Sequence, residues 1–190
     1  MLKVLSLSCL LLFAWVVIAM AAVPDPSKCT VPATAAACLA GDTPYTVTVR
    51  DAGNNPIQGA VVVVDLTSAL LSAGPNLSPG TICLYLCSGQ TLTPSAVTNA
   101  GGQATFYLKT GKCCAGTFPV WMGSVSLGNI TILNSIDVNG DGALNGLDVL
   151  AFANYYFANS RCADVNGDQT TNGLDVLAFA NHYFANHLCP

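Results

Sequence analysis

Along the middle of the chain, hydrophobic and polar positions alternate with the period of an extended strand. Tyr45 to Arg50 alternates, Asp51 to Pro56 has the composition of a turn, and Ala60 to Leu66 is a β-branched run. Thr81 to Cys87, Ala104 to Lys109 and Phe118 to Ile132 read as further strands, separated by Gly, Asn and Pro. Short strands at close spacing, with turn signals between them and no helical period, predict a β-sandwich over residues 43–134. Beyond Asp148 the period changes. Val149, Phe152, Ala153 and Tyr156 fall at helical spacing, so residues 135–190 are expected to form a small α-helical module.

Two segments precede the sandwich. Lys3 and the largely apolar stretch from Val4 to Ile18, followed by Ala19-Met20-Ala21, have the form of a cleaved export signal over residues 1–21. The apolar run is barely long enough for a membrane anchor and no charged stop-transfer flank follows it, so no membrane span is expected in the mature chain. Residues 22–42, rich in Pro and Ala, read as a lead-in or linker.

The helical pattern belongs to a repeat. Asp137 to Asn159 returns as Asp164 to Asn186, and the copies differ only at Gly142/Gln169, Ala143/Thr170, Leu144/Thr171 and Tyr155/His182. Each copy opens with oxygen-bearing side chains at alternating positions: Asp137, Asn139, Asp141, Asn145 and Asp148, then Asp164, Asn166, Asp168, Asn172 and Asp175. A hard cation such as Ca²⁺ takes six to eight oxygens, and a twelve-residue loop supplies them from positions 1, 3, 5, 9 and 12 with a backbone carbonyl at position 7. Ala143 and Thr170 stand at position 7. Two calcium ions are therefore expected. The loops end in Asp where an EF-hand has Glu, and the turn glycine of position 6 is kept only in the first, as Gly142.

Loop followed by helix, Asp at position 12 and two copies in tandem resemble the dockerin family, calcium-dependent plugs that bind cohesin modules in extracellular bacterial assemblies. The resemblance covers residues 135–190. It implies that the partner is a cohesin-like module and that positions 10 and 11 of each loop, here Gly146-Leu147 and Gly173-Leu174, meet it. Typical members carry hydroxyl residues at those positions; this chain does not. The phrases Val49 to Ala60 and Thr98 to Phe106 resemble those of bacterial immunoglobulin-like domains, so the expected architecture is an immunoglobulin-like sandwich followed by a dockerin-like module.

Cysteine usage fits export. Once the leader is removed, Cys29, Cys38, Cys83, Cys87, Cys113, Cys114, Cys162 and Cys189 remain, an even number that points to disulfides and an oxidising compartment. Cys162 to Cys189 and Cys29 to Cys38 are the expected pairs, with Cys113 and Cys114 taking separate partners among Cys83 and Cys87. Adjacent strand cysteines face opposite ways, which argues against a shared zinc ion.

Composition narrows the function classes. All ten acidic residues are Asp and six lie in the two loops, so the net charge of −4 describes metal sites rather than a general surface field. The six basic residues form no patch for nucleic acid. No hydrolase or metalloprotease motif occurs, and a non-catalytic protein is expected. Trp121 is expected in the core rather than on a sugar-binding face. Asn76 and Asn129 head glycosylation sequons. The expected function is calcium-dependent extracellular assembly, through a cohesin on another protein or through further copies of this chain in a filament or layer. A carbohydrate-binding module is the weaker alternative.

Overall fold

The computed structural model describes residues 22–37, 43–70 and 85–185. The export signal, Cys38, Cys83, Cys189 and the Asn76 sequon lie outside the described residues.

The strands in chain order are β1 (Thr34–Ala37), β2 (Pro44–Thr48), β3 (Val61–Val64), β4 (Tyr85–Leu86) and β5 (Ser95–Val97). They continue as β6 (Gln103–Tyr107), β7 (Thr110–Gly111), β8 (Cys114–Met122) and β9 (Val125–Ser135). A five-stranded sheet runs in the order β1-β9-β8-β3-β5, and β2-β6 and β4-β7 form two-stranded ladders. All pairings are antiparallel except β1 with β9, which is parallel.

The alternation read in the sequence becomes one shared core. Val62 and Val64 of β3, Phe118 and Val120 of β8 and Ile130 and Leu133 of β9 meet Tyr45 and Val47 of β2 and Ala104 and Phe106 of β6. The large sheet and the β2-β6 ladder thus cover each other's apolar faces. The stretch from Phe118 to Ile132 is two strands, turned at Gly123, whose φ of 59° suits a residue without a side chain. Trp121 belongs to β8 but lies outside the core, half-buried on the face opposite Phe118 and Val120, because the strand alternates there.

The lead-in is a correction. Residues 34–37 form β1, all four buried, and Thr30 bridges to Thr48 ahead of them. Ala35 and Ala37 join the core while the backbone and Cβ of Ala36 lie 3.6 Å from where a Cβ on Gly167 would stand. A strand covered on both faces shows no alternation, and its small side chains read as a linker.

Two helices, α1 (Gly146–Phe157) and α2 (Gly173–Phe184), follow the strands. They close over a second core of Ile136, Val138, Phe152, Ala163, Val165 and Phe179. The rings of Phe152 and Phe179, equivalent residues of the two repeats, stack with centroids 4.4 Å apart and planes 12° from parallel. Contact between equivalent residues is the mark of a pseudo-twofold axis between the repeats.

Candidate metal centre

Nothing but Ile136 separates the last residue of β9 from the first loop aspartate. Lys112 donates its backbone N–H to the Asp137 carbonyl at 2.7 Å, so the sheet fixes where the loop begins. Within the loop, Asp137 Oδ1 accepts from the Gly140 amide at 2.8 Å and Oδ2 from the Gly142 amide at 2.9 Å. Asp148 closes the other end, its Oδ1 accepting from Asn139 N at 3.3 Å and its Oδ2 from Asn145 N at 3.0 Å. Asp141 accepts from the Ala143 amide and from the Asn139 side chain. Asn145 Oδ1 caps α1 through the Leu147 amide, with Asp148 completing a capping box. The position-12 aspartate therefore ties the loop to the start of its helix.

The product of these bonds is a cluster. Asp137, Asp141 and Asp148 each offer a carboxylate oxygen, all within 4.8 Å of one another, and among the described residues this is the one carboxylate trio that converges so closely. Ligands facing each other across a Ca²⁺ stand about 4.6–5.2 Å apart, twice the metal–oxygen distance, so the trio fits around one such ion. Asp137 and Asp148 are fully buried while Asp141 is exposed. Burial, then the neighbouring Asp137 charge, pushes the Asp148 carboxyl above the ordinary range; hydrogen bonds from the Ala143 amide and the Asn139 side chain hold Asp141 below it.

The second loop repeats the framework. Asp175 Oδ1 accepts from Asn166 N at 3.3 Å and Oδ2 from Asn172 N at 2.8 Å, Asp164 Oδ2 accepts from Gln169 N at 2.9 Å, and Asn172 caps α2 through Leu174 N. Asp164 Oδ1 is buried without a hydrogen-bond partner. Burial first, and the Asp175 charge next, raise the Asp164 carboxyl, whereas the Thr170 hydroxyl and amide lower Asp168. A buried carboxylate oxygen without a donor, in a ring of hard oxygen ligands, is the environment a Ca²⁺ ion satisfies.

Two of the three substitutions between the loops bear on the site directly. Position 6 needs the left-handed conformation in both: Gly142 has φ 84° and Gln169 has φ 72°. At position 7 the Thr170 hydroxyl donates to Asp168 Oδ1 at 2.6 Å, a bond that Ala143 cannot make.

Residues 135–182 match the family model of the Dockerin type I domain. No curated protein and no solved structure matches the chain. Dockerins bind calcium and dock onto cohesins, and the match falls on the two loops and two helices. The strands ahead of the dockerin module are not covered by it.

The residues which the resemblance offers as partner-binding lie at the surface. Gly146 and Gly173 open the helices, and Leu147 and Leu174 are each 59% exposed, so neither leucine is core.

The contacts between dockerin module and sheet were not legible. Cys113 pairs with Cys162, Cα atoms 5.5 Å apart across 49 residues, which corrects the expected Cys162 to Cys189 bond. Cys114 is buried in another disulfide, and Cys87 is disulfide-bonded too. The Cys29 to Cys38 expectation also fails. Cys29 is a free thiol, its Sγ held against the backbone of Arg50 at 3.4–3.5 Å because the Thr30–Thr48 bridge places it there. Asn134 at the end of β9 donates its side-chain amide to the carbonyls of Arg161 and Asp164. A Cβ on Gly140 would come 2.7 Å from Lys112 Cβ, so the first loop approaches the sheet more closely than any side chain at that position would allow.

Proposed function

We propose that this is a secreted, non-catalytic assembly protein whose dockerin module binds two calcium ions and docks onto a cohesin-type partner, with an immunoglobulin-like β-domain as spacer or cargo. The observation that carries the reading is the convergence of Asp137, Asp141 and Asp148 within 4.8 Å at the start of α1, in a segment that matches the dockerin family. Calcium supplies the positive charge that lets three carboxylates close on one point. The chain does the rest. Asn139 to Asn145 carry the remaining oxygens, and the Asn145–Asp148 capping box couples the closed loop to the direction of α1. The same coupling runs through Asn172 and Asp175 to α2, which sets the Gly146-Leu147 and Gly173-Leu174 surfaces for a partner.

The test is retention of one cohesin-type partner from the native secretome on immobilised protein in calcium, compared with chelator and with the Leu147→Asp, Leu174→Asp double variant. Retention in calcium alone, lost in the variant while both calcium sites still fill, supports docking. Equal retention in chelator overturns it.

A second reading, a subunit assembling head-to-tail into an extracellular filament or layer, draws support from the direct junction of β9 with the first loop and from the Cys113–Cys162 bond. A rigidly mounted module transmits orientation from one subunit to the next, as a loosely tethered plug does not.

A further inference from the structure

The dockerin module carries an apolar groove between its two helices. Val149, Phe152, Ala153, Tyr156 and Phe157 of α1 line one wall and their five equivalents in α2 the other, enclosing about 370 Å³. The floor is the stacked Phe152–Phe179 pair. On the rim, Phe157 packs edge-on against Tyr156 and Phe184 edge-on against Tyr183. These two rim phenylalanines are 85% and 83% exposed, more than any other large hydrophobic side chain described.

From these observations we infer that the groove is a self-association surface, occupied by the same groove of a second copy of the chain. Area is the first reason. Phe157 and Phe184 expose on the order of 300 Å² between them, and with Val149 and Val176 the exposed apolar surface of the groove is on the order of 400 Å². That is within the range of the largest patch a monomer ordinarily shows, which is often functional, and two such faces together reach about 800 Å², the size of a weak, reversible interface. Self-complementarity is the second. An isologous dimer needs a patch that matches itself after a twofold rotation, and this one is already built from two copies of a single five-residue pattern about a pseudo-twofold axis. Charge is the third. No lining residue is charged, so two copies meet without like-charge repulsion, and the groove offers a heterologous polar partner almost nothing to recognise. Docked face to face, the pairs of helices form a four-helix contact with the rim phenylalanines in the opposing groove.

This surface is separate from Leu147 and Leu174, so the dimer and the cohesin-type docking fail independently. Sedimentation velocity of the full chain in calcium from about 1 to 100 µM should show a reversible dimer with a Kd on the order of 10 µM. Phe157→Ser with Phe184→Ser should weaken the dimer by at least about 30-fold while calcium stoichiometry and helix content hold. Val149→Lys with Val176→Lys, at positions already 43% exposed, is the second variant should the first lose its fold. Leu147→Asp with Leu174→Asp should leave the dimer intact. A wild-type chain that stays monomeric at 100 µM overturns the proposal, whether residues 186–190 or a heterologous protein fills the groove. So does a folded groove variant that dimerises as tightly as the wild type.

Discussion

The two loops of the repeat present the same acidic and amide side chains at the same spacing, yet only the first draws its carboxylates into a trio within 4.8 Å. What differs is not the ligands but the residues between them. Gly142 reaches φ 84° without strain, whereas Gln169 is held at φ 72° with a side chain attached. Ala143 leaves Asp141 accepting one amide on Oδ1, whereas the hydroxyl of Thr170 adds a second donor to the same oxygen of Asp168. Leu144 packs against the module core; Thr171 instead donates its hydroxyl to the Ser160 carbonyl. The second loop is held to the β-domain from outside, by Asn134 on the Asp164 carbonyl and by Cys162 two residues earlier. Both loops are mounted on the β-domain, the first through Lys112 and the second through Asn134 and Cys162.

Removing the mounting should have the largest effect. Cys113→Ser with Cys162→Ser releases a 49-residue closure, which on the chain-entropy account destabilises by about 4 kcal/mol. Denaturant unfolding in calcium should show that loss, and calorimetry should show the second site weakening more than the first. Equal weakening would mean that the second loop does not depend on the sheet. Asp137→Ala should abolish the first site, at least about 100-fold in affinity, and leave one equivalent of calcium in the titration. Two equivalents surviving would show that the Asp137, Asp141 and Asp148 trio is not the site. Gln169→Gly removes the left-handed strain and should tighten the second site by about 1 kcal/mol, several-fold. No gain would locate the weakness of that loop elsewhere. Smallest is Thr170→Ala, which removes one of the two donors on Asp168 Oδ1 and should raise second-site affinity by about 0.5 kcal/mol; a fall would show that the hydroxyl shapes the loop rather than competing for its ligand.

The loops were legible because a metal site is written in side-chain identities at fixed intervals, and Asp137 to Asp148 keeps both. The helices were legible for the same reason, since Phe152 and Tyr156 repeat at the period of the fold they make. β1 was not. Thr34 to Ala37 is buried on one face by the core and on the other by the second loop, so it carries no alternation, and what makes it a strand is a partner 98 residues away along the chain. Disulfide partners are likewise decided by where strands end in space. Cys114 opens β8 and Cys113 stands just ahead of it, and that Cys162 would reach Cys113 follows only once the dockerin module is seen seated on the end of the sheet. The exposure of Leu147 and Leu174 is not readable from sequence alone, because apolar residues beside a helix start serve core and interface alike.

The parallel pairing of β1 with β9 sets how the molecule bears tension. A docked module pulls on the C-terminal end of β9 while the chain preceding β1 pulls on its N-terminal end, and in parallel neighbours those ends lie at opposite extremes of the ladder. The force therefore runs along the strands and shears the Thr34–Ile132 to Ala37–Ser135 ladder as a unit instead of peeling it bond by bond. Resistance to such a pull is a matter of unfolding rate rather than equilibrium stability, and Cys113–Cys162 adds a covalent route by which load bypasses the first loop and α1. Under tension the junction between the two parts is the reinforced point of the chain.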